Sequence, residues 1–153
     1  MARYAPFLLA MTLAACATPS HMQTASGNPE VTIATTDRAA VKGAVINSFV
    51  SRGFTLDQEG DYSLQFSKPM EGAGGVMYQA MLGNSYSSTP RWNVNITLAP
   101  LTGETRVVGK AFVRMQNAFG KEDTNDMTSG KAGQQIMEML QQVKKSLEPA
   151  VAP

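Results

Sequence analysis

The chain of 153 residues holds one cysteine and one histidine, so chemistry that needs a thiol or an imidazole rests on Cys16 or His21. A hydrolytic triad needs a base beside its nucleophile, most often histidine. His21 sits among Thr, Pro, Ser, Gln and Gly residues with no apolar periodicity and reads as a solvated linker residue, which denies the core a Ser-His pair. Ser-Lys or paired-carboxylate chemistry stays open, but no spacing selects it, and no catalytic residue is assigned. Asp57, Glu59 and Asp61 lie at i, i+2 and i+4 around Gly60, and Glu122, Asp123 and Asp126 form a second acidic group. Calcium takes about six to eight oxygens, and an EF-hand needs a longer patterned loop ending in glutamate. Neither group has that pattern, so both read as turn chemistry and solubility. Met77 and Met81 would share a strand face and could offer thioethers to Cu(I), but packing is the simpler use of methionine. Glu71-Gly-Ala-Gly-Gly75 lacks the Gly-Lys-Ser/Thr ending of a phosphate loop. Asn95-Ile-Thr97 has the pattern of a glycosylation sequon but belongs to a strand. No metal and no cofactor is expected.

Cys16 has a specific setting. Arg3 supplies a positive start, Ala5 to Leu13 is a short apolar run, and Leu13-Ala14-Ala15-Cys16 follows. The run is too short to span a bilayer, which needs about 20 apolar residues, and has the form of a signal peptide. Leu13-Ala14-Ala15-Cys16 resembles the lipobox of bacterial lipoproteins. The resemblance implies that the Cys16 thiol receives diacylglycerol, that the chain is cut before Cys16, and that the new amine is acylated, with palmitate the expected chain. Each buried methylene contributes about 0.8 kcal/mol, and two or three chains anchor durably where one does not. Ala17 stands where an aspartate would retain such a protein at the inner membrane, so the resemblance favours the outer membrane, facing the periplasm.

Composition excludes other classes. The formal net charge is +1, and loss of residues 1–15 removes Arg3, leaving 12 basic against 12 acidic residues. A neutral chain has no electrostatic drive toward nucleic acid. No run of Lys and Arg marks a basic patch; Lys144-Lys145 reads as a solvated helix face. Apolar content of 43% suits one globular domain with its own core.

The elements that must position any site follow from periodicity. The expected order of segments is a signal peptide over 1–15, the lipidated cysteine and a flexible tether over 16–29, one domain over 30–148, and a loose tail over 149–153. Val31 and Ile33 alternate with Thr32 and predict a strand. Thr36-Asp37 offers an N-cap to a helix over 38–52, whose stripe is Val41, Val45 and Phe49, widened by Ile46 and Val50. Gly53 ends it. Phe54 and Leu56 start a strand, Asp57 to Gly60 predicts a turn, and Tyr62, Leu64 and Phe66 a half-buried strand. Val76 to Leu82 predicts another strand, and Gly83 to Pro90 a polar loop. Trp92, Val94, Ile96 and Leu98 alternate with polar residues. Pro100 to Glu104 turns, and Thr105 to Gln116 is a long strand in which Gly109 suggests a bulge or bend. Asn117 to Gly130 reads as a polar loop, and Ile136, Leu140, Val143 and Leu147 place a helix over 131–147.

The predicted order is β-α-β-β-β-β-β-α. Short turns imply antiparallel pairing, and single apolar faces imply two layers: an α+β fold with an antiparallel sheet covered on one face by two helices. This element order is similar to the helix-grip domains of BamC, an outer-membrane lipoprotein.

Apolar residues in polar loops either pack down or serve a partner. Tyr86, Trp92 and Phe119 are the partner-contact candidates. The expected function is a non-enzymatic envelope lipoprotein, an accessory or adaptor module contacting another envelope component. The alternative is a carrier that holds a small apolar ligand between sheet and helices, with Met77, Met81, Met115, Met137 and Met139 as an adaptable lining. An enclosed void of several hundred Å³ would favour the carrier, and a filled core with an exposed aromatic patch the adaptor.

Overall fold

Strict alternation builds the sheet. In the strand Thr105–Gln116 every odd residue from Thr105 to Met115 is buried, while Arg106, Val108, Lys110, Phe112, Arg114 and Gln116 face the other way. The computed structural model describes residues 22–72, 75, 88–117 and 119–148. Their elements are β1 (Glu30–Ile33), α1 (Arg38–Val50), β2 (Thr55–Glu59), β3 (Ser63–Pro69), β4 (Arg91–Pro100), β5 (Thr105–Gln116), β6 (Glu122–Asp126) and α2 (Lys131–Leu147). All strand pairs are antiparallel, in the order β1-β5-β4-β3-β2, with β6 also paired to β5. The fold is α+β, one six-stranded sheet with both described helices on one face.

The core lies between that face and the helices. Val41, Val45 and Phe49 of α1 and Ile136, Met139, Leu140 and Val143 of α2 close over Ile33, Leu64, Phe66, Val94, Ile96, Leu98 and Val107. Most of these side chains have almost no exposed surface. Each fully buried aliphatic or aromatic side chain contributes about 1.5–3 kcal/mol relative to exposure.

Helix α1 is closed by local chemistry. Asp37 Oδ1 accepts from the Ala40 amide at 3.0 Å. At the other end Gly53, with φ +81°, donates to the Val50 carbonyl, and the Phe54 amide donates to the Phe49 carbonyl. This is a Schellman closure, with the apolar contact that accompanies it: the Phe49 and Phe54 rings meet edge to face at 5.5 Å. Val50, expected in the apolar stripe, is instead 50% exposed, because the helix turns it past the sheet.

Two strands pair with one edge of β5 in relay. β1 takes Thr105 to Val108 and β6 takes Phe112 to Gln116. Between them the Gly109 amide donates to the Pro29 carbonyl at 2.8 Å. The Ala111 amide donates to Thr128 Oγ1 at 3.1 Å, and its carbonyl accepts from the Met127 amide at 2.9 Å. The edge therefore stays hydrogen-bonded where no strand covers it.

Four further expectations change. Residues Glu122 to Asp126, expected within a polar loop, form β6; every one is exposed, so the strand rests on backbone pairing and carries no apolar alternation. Asp57 to Glu59, expected as a turn, continue β2 across a register shift between Leu56 and Gln58, and the turn falls later, where Gly60 donates to the Ser63 carbonyl. Gly109 makes no bulge: it pairs regularly with Ile96, and its missing side chain admits α2. A Cβ there would stand 2.6 Å from Ile136 Cγ2. Residues 22–29, expected as the end of a tether, fold against the domain: Glu30 accepts from the Ala25 and Ser26 amides, and Pro29 is buried. The strand expected over 76–82 lies outside the described residues.

Candidate functional site

The lengths of the elements leave a space. Strand β4 has 10 residues and runs about 33 Å, whereas α1 has 13 residues and runs about 20 Å. Gly53 then turns the chain down into β2, so α1 cannot cover the Trp92 end of the sheet. Helix α2, with 17 residues, continues alongside. What remains is an open cleft of about 400 Å³, floored by Trp92, Val94 and Ala111 and walled by Ile136 and Met139, with Phe54 at the end of α1. Its size lies toward the lower end of the range for ligand pockets, roughly 300–1,000 Å³.

A run of aromatic rings leads from the core to this cleft. Phe66 stacks on Phe49 at 4.6 Å, Phe49 meets Phe54, and Phe54 stacks on Trp92 at 6.3 Å. Two cations stand at the mouth. Lys68 Nζ donates to the Arg52 carbonyl at 2.9 Å and lies 5.6 Å from the centre of the Phe54 ring. Arg52 donates to the Ser48 carbonyl and hydroxyl and to Gln142 Oε1. Neither cation has a carboxylate within 4 Å among the described residues. Gln135 and Glu138 of α2 line the cleft as well, Glu138 one helical turn before the Gln142 that Arg52 touches.

A second feature is the turn between β5 and β6. Asn117 donates to the Lys121 carbonyl at 2.9 Å, and its side-chain Oδ1 accepts from the Phe119 and Lys121 amides, both at 3.0 Å. Gly120, with φ +79°, donates to the Asn117 carbonyl, and Gln116 Nε2 donates to the Gly120 carbonyl. This built turn holds Phe119 95% exposed.

Of the contact candidates, Phe119 is therefore at the surface, and Trp92 is half-buried in the cleft floor, not on an exposed patch. Tyr86 lies outside the described residues, as do Cys16, His21, Met77 and Met81. Met139 lines the cleft, Met137 packs against the core, and Met115 is buried elsewhere on β5. The two acidic groups are dispersed into separate contacts: Glu59 pairs with Lys42 at 3.0 Å, Glu122 lies 3.3 Å from Arg114, and Asp126 accepts from the Thr128 amide. Among the described residues no three His, Cys, Asp or Glu side chains converge as a ligand set.

Sequence reasoning missed Phe54, Arg52 and Lys68 as a group. The helix-free face of the sheet was also unseen: Arg106, Lys110 and Arg114 share it at every fourth residue of β5, beside Arg91 of β4. Period-two reading of β5 carries that signal, and the search for consecutive basic residues does not. Glu30, Glu122 and Asp126 flank those cations on β1 and β6.

No family model matches this chain, and no curated protein matches it. Among the described residues no helix is long and apolar enough to cross a membrane.

Proposed function

We propose that this chain is a lipid-anchored, non-enzymatic module of the bacterial envelope, an adaptor that contacts another envelope component. The lipobox-like Leu13-Ala14-Ala15-Cys16 supports the anchor. The observation that carries the adaptor reading is Phe119. A buried phenylalanine would contribute about 1.5–3 kcal/mol, yet here five hydrogen bonds in one short turn hold the ring in water. Apolar anchors presented on rigid turns are what partner proteins seat in pockets.

Two experiments separate the parts. Metabolic labelling with a fatty-acid analogue should tag the wild type and not Cys16→Ser; a tagged Cys16→Ser protein would remove the anchor. A photo-crosslinking residue at position 119 in cells should yield one dominant adduct, lost when the probe is moved to Lys145. Recovery of monomer alone at native abundance would rule out the contact.

The carrier is the second reading; the cleft beside the helices supports it by its place between sheet and helix, but it is open and is not the enclosed void expected of a carrier.

A further inference from the structure

The cleft and its mouth have opposite chemistry. Half-buried Trp92 offers the apolar surface, with only the edges of the nearly buried Phe54, Ile136 and Met139 around it, while Arg52 and Lys68 place two charges at one end with no carboxylate partner among the described residues. We infer that the cleft binds a single-chain anionic amphiphile, its hydrocarbon tail over Trp92 and its anionic head on Lys68 and Arg52. Charge complementarity selects the sign of the head. Lys68 uses one of its three donors on the Arg52 carbonyl, which leaves two for a carboxylate or phosphate oxygen.

The position of the cleft suggests where the amphiphile comes from. A Cβ on Gly133 would lie 3.1 Å from Met22 Cε, so Met22 touches the first turn of α2, one residue from Ala132 of the cleft wall. Six residue steps separate Cys16 from Met22, a reach of at most about 20 Å. If Cys16 carries lipid, the cleft stands within that reach of a bilayer, the source of acyl amphiphiles to which this inference commits. This last step rests on the anchor reading; the binding chemistry does not.

Trp92 is the chain's only tryptophan, so its emission reports on the cleft alone. The full-length Cys16→Ser chain is titrated with dodecanoate below its micellar concentration. A saturable blue shift is expected. Lys68→Gln with Arg52→Gln should weaken it about tenfold, Lys68→Arg should restore most of it, and dodecyltrimethylammonium should bind at least as weakly as dodecanoate binds the double variant. Circular dichroism of each variant checks that the fold is kept. An unmoved emission, or equal response to both head groups, overturns the inference. Because Cys16→Ser carries no lipid, this outcome is independent of whether the anchor exists. A lipidated chain whose Trp92 is already blue-shifted and silent to dodecanoate would assign the cleft to the chain's own acyl group and overturn the choice of a free amphiphile.

Discussion

The two helices lie on the same sheet and are secured in opposite ways. Helix α1 is closed by its own neighbours in sequence: Asp37 caps its start and Gly53 its end. Helix α2 has no side-chain cap at Gly130 and is placed by close approach, to the loop just before it and to distant strands. Its first turn lies against the Thr128 carbonyl through Gly133, its middle against β5 through Gly109, and its end against β1, where Lys144 donates to the Thr32 carbonyl and Glu148 accepts from the Ala34 amide. One helix is specified locally and the other by close approach. The cleft lies where these two regimes meet, bounded by the capped end of α1 and the docked flank of α2.

The contrast breaks most strongly at Gly133. An added methyl would overlap the Thr128 carbonyl, which is backbone and cannot swing aside. Gly133→Ala should cost about 3 kcal/mol in urea unfolding, and hydrogen exchange should show the loss concentrated in α2. Unchanged stability would mean that α2 is not held by this contact. Gly109→Ala should cost about 2 kcal/mol, because its methyl meets Ile136 and Ile96. Their side chains can shift in part, so the effect is smaller, and Trp92 emission should change as α2 lifts from the cleft. Asp37→Ala removes one capping acceptor and should cost about 1 kcal/mol, with Asp37→Asn recovering most of it. An Asp37→Ala loss as large as that of Gly133→Ala would erase the local character assigned to α1.

The smallest effect is one of pH. The Ala34 amide holds the Glu148 carboxylate below its ordinary value; partial desolvation works against this, and Lys144, 3.4 Å away, adds to it. A lowered carboxylate contributes stability that is present above its unfolded value and lost as pH falls through its folded one. Glu148→Gln should therefore narrow the gap to wild type as the solution is acidified through the carboxylate range, read from thermal melts across pH. A gap that widens on acidification would contradict the Ala34 and Lys144 contacts.

Legibility in the sequence follows the same division. Asp37, Gly53 and the Val41-Val45-Phe49 stripe announce α1, because caps and periodicity are local signals. The alternation of β4 and β5 is equally plain, since each buries one face. Strand β6 was not readable: Glu122 to Asp126 bury nothing, and only the exposed amides of β5 recruit them. Gly109 showed that a side chain was unwelcome, but not that a helix was the reason. Trp92 was a partner-contact candidate, yet it faces inward, as its alternation with Val94 and Ile96 required. The cleft itself has no sequence signature. It is a difference of lengths between α1 and β4, visible only when both lie in one frame.

The relay along β5 has a consequence for life in a crowd. The outer strands β1, β6 and β2 have four, five and five residues, against 10 and 12 for the central β4 and β5. β2 is further interrupted at Asp57, where its register shifts. Short, broken borders offer a neighbouring molecule too few free amides in line to extend the sheet. Pressed against copies of itself, such a chain is poorly built to seed a fibre.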